Sequence, residues 1–187
     1  MMGDLPNGDG ASSPTAHGAH KPHDESDLRR AQAEIVDETA RAAWRRAIHE
    51  AAHAVVAIEY GLELESVSLE ASGGLLAHTV IAGPIDPHLE IQVLLAGELA
   101  ETADNGWALP YGRQSAACDD AMVDALLSEM PVPPKRKDEI RAECLAAAQR
   151  IVVGRRDAIQ AIAAVLIEEG TIDGARAFAI ARSRQWR

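Results

Sequence analysis

Apolar side chains recur at helical intervals over most of this chain. From Leu28 to about Tyr60 there is no Gly or Pro, and Leu28, Ala31, Ile35, Ala42 and Ile48 fall along one stripe. The spacing predicts a long helix, with room for a break near Thr39 to Ala42. Asp24 to Asp27 suits its start and Gly61 its end. The period then changes. Leu64, Ser66 and Ser68 alternate with Glu65, Val67 and Leu69, Ser72-Gly73-Gly74 supplies a turn, and Leu75 to Ile81 reads as a second strand. Both alternating sets contain apolar residues, so the pattern does not choose the buried face of this hairpin.

Gly83-Pro84-Ile85-Asp86-Pro87 is a rigid loop. A second major helix follows, from His88 to about Asn105, with Ile91, Leu94, Leu95, Glu98, Leu99 and Thr102 at helical intervals. Gly97 inside it costs about 1 kcal/mol against Ala, which close backbone packing would offset. Gly106 to Gln114 reads as a loop containing Trp107, Pro110 and Tyr111. Further helices are predicted over Ala121 to Met130, Asp138 to Val153, Arg156 to Glu168 and Asp173 to about Arg182, the last around Phe178. The fold class is therefore mainly α with one small hairpin.

Residues 1 to about 24 hold Gly, Pro, Asn, Asp and Ser with almost no bulky apolar side chains, the composition of a disordered tail. His17, His20 and His23 lie in it, but the flanking Gly and Pro give them no fixed geometry. Residues 25–187 read as a single domain. No internal repeat interrupts it.

Acidic residues number 29 against 18 basic ones in 187 residues, a formal net charge of −11. That balance argues against non-specific nucleic-acid binding and against attraction to an anionic membrane. The start of the chain lacks the pattern of a signal peptide, and no apolar run is long enough to span a bilayer. Cys118 and Cys144 are too few for a disulfide framework and leave at most one bridge. A cytoplasmic protein without membrane insertion is expected. Lys135-Arg136-Lys137, beside Asp138 and Glu139, reads as solvated surface.

Chemistry concentrates at Ile48-His49-Glu50-Ala51-Ala52-His53. Four residues apart on a helix, His49 and His53 share a face, where both imidazoles can reach one metal ion. Glu50 can lean toward the ion's open position and take a proton from water there. The competing reading is two helical histidines that merely pair with carboxylates. Apolar neighbours at Ile48, Val55, Val56 and Ile58 weigh against it, because buried imidazoles and a carboxylate need a ligand or partners. Trp44 is expected to pack beside the motif. Catalytic zinc commonly takes three protein ligands, and periodicity alone does not choose the third. Glu98 and Glu101, on different sides of the second helix, are both candidates. Asp119 and Asp120 also have a structural explanation at a helix's opening turn. His78 reads as a strand residue, and Cys118 as a small buried one.

Residues 45–60, Arg-Arg-Ala-Ile-His-Glu-Ala-Ala-His-Ala-Val-Val-Ala-Ile-Glu-Tyr, resemble the zinc-site helix of FtsH-type ATP-dependent proteases. The likeness continues in the same order over about residues 40–182. Leu64 to Ile81 is similar to the family's hairpin, and Val93-Leu94-Leu95-Ala96-Gly97-Glu98-Leu99-Ala100-Glu101 to its second helical segment. Ser115 to Met122 resembles the aspartate-ligand region, and Leu166 to Gly174 the carboxy-terminal segment. The resemblance implies a helical, zincin-like peptidase domain with a small β-hairpin after the metal-binding helix. It makes His49 and His53 zinc ligands and Glu50 the catalytic base. Asp120 becomes the third ligand, with Asp119 the alternative, and Glu101 supports the site from outside the ligand set.

Ala52 stands where the family has Gly, and the chain carries neither a phosphate-binding Gly-x-x-x-x-Gly-Lys-Ser/Thr loop nor a membrane anchor. The activity implied is zinc-dependent endopeptidase action on peptides or unfolded segments, without intrinsic ATP-driven unfolding. Backbone pairing along the hairpin edge would align the substrate. The alternative is a catalytically inactive metal-binding module of the same fold, serving regulation or interaction. Exposed helical faces leave room for a homo-oligomer or a separate partner protein.

Overall fold

A computed structural model describes residues 25–70, 77–105 and 113–184. The tail expected at 1–24, the Ser72-Gly73-Gly74 turn, Trp107, Pro110, Tyr111 and Trp186 lie outside the described residues. The element order is α1 (Glu25–Glu59), β1 (Leu64–Ser68), β2 (His78–Ile81), α2 (Pro87–Asn105), α3 (Arg113–Glu129), α4 (Pro134–Gly154), α5 (Arg156–Glu169), β3 (Thr171–Asp173) and α6 (Gly174–Arg182). The protein is mainly helical with one small antiparallel sheet, as the periodicity predicts. Among the described residues, no helix is long and apolar enough to cross a membrane.

The chain divides into two compact units, Met1–Asp37 and Glu38–Arg187. This division falls within α1, whereas the composition places a boundary near residue 24. In the first unit the described residues are helical, and Ile35, assigned to the apolar stripe, is exposed. In the second, every residue of α1 from Ala47 to Ile58 is buried. α1 has no break at Thr39 to Ala42.

A helix covered all round must be enclosed by several elements. Here α2 supplies Val93, Ala96 and Ala100, α4 Ile151 and Val152, α5 Ile159, Ile162 and Leu166, and the sheet Val67 and Ile172. Gly61 closes α1 at a φ of 70°, a backbone conformation that L side chains rarely adopt. Its N–H donates to the Ile58 carbonyl, and the Leu62 N–H to that of Ala57, so two terminal carbonyls are satisfied. A second core lies on the other side of α2. Ile91 and Leu95 pack there with Val123 and Leu127 of α3 and Ile140, Cys144 and Ala148 of α4. α2 is thus apolar on two faces and serves both cores.

The strand order is β2-β1-β3. Val67 pairs with Thr79 on one side and Ile172 on the other, and Val67 and Ile172 are buried. Val67 and Ile172 mark the face turned to the main core: Thr79 shares it, while Ser68 (itself buried), His78 and Thr171 occupy the opposite one. The three-residue strand β3, between Gly170 and Gly174, is absent from the sequence expectation. It is too short to show alternation.

Two helix starts also differ from expectation. Pro87 opens α2, with Asp86 as its cap: the Asp86 carboxylate accepts from the N–H groups of His88 and Leu89. α3 begins at Arg113, well before Ala121, so Asp119 and Asp120 lie inside the helix rather than in its opening turn. The dipole account of these two aspartates therefore does not apply.

At the far end of the motif helix, the buried Arg155 ties three elements together. Its Nη1 and Nη2 donate to the carbonyls of Arg184 and Ala181, at 2.6 and 2.7 Å. Its Nε lies 2.8 Å from Glu59 Oε1, angled as an ion pair rather than a hydrogen bond.

A candidate metal centre between α1, α2 and α3

Because α1 is enclosed over Ala47–Ile58, its polar residues cannot turn to solvent. His49, Glu50 and His53 are 2%, 5% and 6% exposed. Their potential ligand atoms all lie within 4.8 Å of one another, a group able to hold a metal ion. The two imidazoles meet edge to face, with ring centroids 4.6 Å apart.

Each ring has one nitrogen fixed by α2. His53 Nδ1 is 2.7 Å from the Val93 carbonyl oxygen, which can only accept, so Nδ1 carries the proton. In the neutral ring this leaves the Nε2 lone pair free. His49 Nδ1 is 2.7 Å from Glu101 Oε1. Val93 and Glu101 stand eight residues apart on one face of α2, which explains how a single helix orients both rings. Histidine ligands of metals almost always have the other nitrogen held this way by a carboxylate or carbonyl.

Both Nε2 atoms converge on α3. Asp119 Oδ2 lies 2.8 Å from that of His49 and 3.4 Å from that of His53. Asp120, the position that the resemblance favours, lies elsewhere: its Oδ1 accepts from Arg141 of α4 at 2.6 Å, and its side chain is 46% exposed. The two neighbours are separated by helical rotation of about 100°. Asp119 therefore takes the place beside the histidines.

The electrostatics follow from this packing. Burial disfavours a charged His49, but hydrogen bonds to Asp119 and Glu101, with the charges of Glu50 and Asp119, outweigh it and raise the ring to about 10. Burial pushes the Asp119 carboxyl up, yet hydrogen bonds and charge from both histidines hold it down at about 2. Three carboxylates around two imidazoles form a strongly cation-attracting pocket.

Glu50 has a partner of its own. The Thr79 hydroxyl lies 3.0 Å from Glu50 Oε2 and 3.1 Å from the Glu50 carbonyl oxygen. β2 is an edge strand of the sheet, so this threonine brings a strand edge beside the carboxylate.

Other candidates stand apart. Glu98 is exposed on α2. His78 pairs with Ser68 on the sheet face away from Thr79. Cys118 is exposed, contrary to the expectation of a small buried residue, and both cysteines are free thiols. Trp44 packs against the main core as expected. Thr79 and the Val93 carbonyl escaped the sequence reading. A strand threonine carries no distinguishing pattern, and a carbonyl belongs to every residue. No protein-family profile matches the chain, and no curated protein matches it.

Proposed function

We propose that the protein is a zinc-dependent endopeptidase resembling the peptidase domain of FtsH-type proteases, with His49, His53 and Asp119 as ligands and Glu50 as base. The observation that carries this reading is the convergence of two imidazole Nε2 atoms on one carboxylate, with each Nδ1 occupied by an acceptor. In the metal-free chain a proton on His49 Nε2 joins it to Asp119, and zinc would take that proton's place between the imidazoles and the carboxylate. Two nitrogens and one oxygen suit zinc and leave a fourth position for the reaction. Zinc bound there would acidify water and polarise a substrate carbonyl.

The chain's own groups then have defined tasks. Glu50 removes a proton from the attacking water and delivers it to the leaving amine, so no acyl-enzyme is required. Thr79 holds the carboxylate by its hydroxyl. Glu101 and the Val93 carbonyl keep both rings turned with Nε2 toward the site. An extended peptide added to the edge of β2 would run beside Glu50, selected largely through its backbone. Peptides and unfolded segments are the substrate class. A cytoplasmic setting is part of this proposal.

Purified protein loaded with zinc, offered an unfolded peptide library, tests the assignment. Cleavage is expected at one bound zinc per chain, with Glu50→Gln retaining zinc and losing at least about 100-fold in rate. Zinc binding without cleavage by the parent protein would favour an inactive metal-binding module. Absence of zinc binding would remove both readings.

A further inference from the structure

The face of α2 that fixes the histidine rings has one more member. Val93, Gly97 and Glu101 follow at intervals of four residues, and Gly97 lies between the two that accept hydrogen bonds. A Cβ built on Gly97 would fall 2.4 Å from His49 Cε1 and 2.6 Å from each of its ring nitrogens. Such similar distances to three adjacent ring atoms put that methyl against the face of the imidazole, not beyond its edge. Normal carbon contact requires the ring to retreat by about 1 Å.

That retreat is obstructed on the polar side. His49 is held at Nδ1 by Glu101 and at Nε2 by Asp119, at 2.7 and 2.8 Å, and it is buried. A ring fixed at both ends cannot yield as the tip of a free side chain would. The missing side chain therefore has a definite use in a helix where Gly costs about 1 kcal/mol against Ala.

We infer that Gly97 is a positioning residue for His49: its lack of a side chain lets the imidazole lie on the α2 backbone and present Nε2 to the metal. This rests on the metal-centre reading above. The consequence is specific to one ligand. A methyl at 97 displaces His49 while leaving the hydrogen bond between His53 and the Val93 carbonyl in place.

The test combines zinc affinity with a double-mutant cycle on the metal-stripped full chain. Gly97→Ala is expected to weaken zinc binding about 10- to 100-fold in competition with a chelating dye, the range for loss of an outer partner. It should also lower the urea midpoint. In the His49→Ala background the same substitution should leave the midpoint nearly unchanged or raise it, because the clashing ring is gone. If Gly97→Ala fails to fold, recovery of folding in His49→Ala/Gly97→Ala supports the inference. Failure of both overturns it, as does equal destabilisation in the two backgrounds. Equal zinc affinity of the parent chain and Gly97→Ala overturns it while leaving the metal centre intact. A parent chain that binds no zinc overturns both, and the cycle then reports whether the packing contact itself exists.

Discussion

Asp119 and Asp120 are neighbours on one helix, yet they belong to two different kinds of region. Asp119 faces inward between His49 and His53, with a side chain 19% exposed and a carboxyl held at about 2. Asp120 faces α4 and shares Arg141 with Asp124, in a surface network whose members are 35%, 46% and 71% exposed. Water screens the second region and is largely excluded from the first. The same carboxylate thus becomes a metal-site candidate in one place and a weak surface tie in the other. Charge alone does not identify a site; enclosure and convergent partners do.

The sharpest break in that comparison is Asp119→Ala. It removes a proposed ligand, so zinc affinity should fall by more than about 100-fold, beyond what an outer partner contributes. Dye competition against the parent chain measures it. An Asp120→Ala variant that loses zinc while Asp119→Ala keeps it would reverse the ligand assignment.

Burial without chemistry is the next control. Arg155 is as enclosed as the histidines, but its guanidinium meets two carbonyls and Glu59 rather than a convergent donor set. Arg155→Met leaves those carbonyls and a partly buried carboxylate without their partner. A stability loss of about 3 kcal/mol is expected from urea unfolding, the scale for breaking a buried pair. Zinc affinity of the folded fraction should not change. A loss of zinc at unchanged stability would show that the convergent donor set does not separate the two roles.

Thr79→Val asks how far the site extends into the sheet. The substitution removes the hydroxyl beside Glu50 while keeping the branched shape of a strand residue. Peptide cleavage should fall about 10-fold, equivalent to about 1.4 kcal/mol, at the upper end of the range for a typical hydrogen bond. Thr79→Ser should restore most of it. Zinc affinity should remain that of the parent in both, since Thr79 touches the proposed base and neither histidine.

The legible and illegible parts of the site divide along the same physical line. His49, Glu50 and His53 are close in sequence, so helical geometry alone places them together. The second helix was also legible, and with it Gly97 and the candidate Glu101. The choice of Asp119 over Asp120 was not, because their orientation depends on where α3 begins and how it rotates against α2. Starting that helix near Ala121 made both aspartates look like dipole partners. β3 escaped for a different reason: three residues between two glycines carry no periodic signal, and only pairing with β1 makes them a strand. Local order could be read from the pattern; selection among neighbours required tertiary packing.

The smallest expected effect completes the comparison from the exposed side. Arg141 donates to Asp120 and Asp124 across α3 and α4, at 2.6 and 2.5 Å. Distances this short would signify a strong interaction in a dry interior. Here the Arg141 side chain is 35% exposed and that of Asp124 71% exposed, so solvent and salt screen the attraction. Arg141→Ala should therefore reduce stability by less than about 1 kcal/mol, less still at high salt. Zinc affinity should stay within about twofold if the apolar contacts of Val123, Leu127, Ile140 and Cys144, rather than this network, hold α3 at the angle that points Asp119 inward. A tenfold loss of zinc in Arg141→Ala would instead make the surface network a determinant of that rotation. The boundary between the two regions would then lie at Arg141.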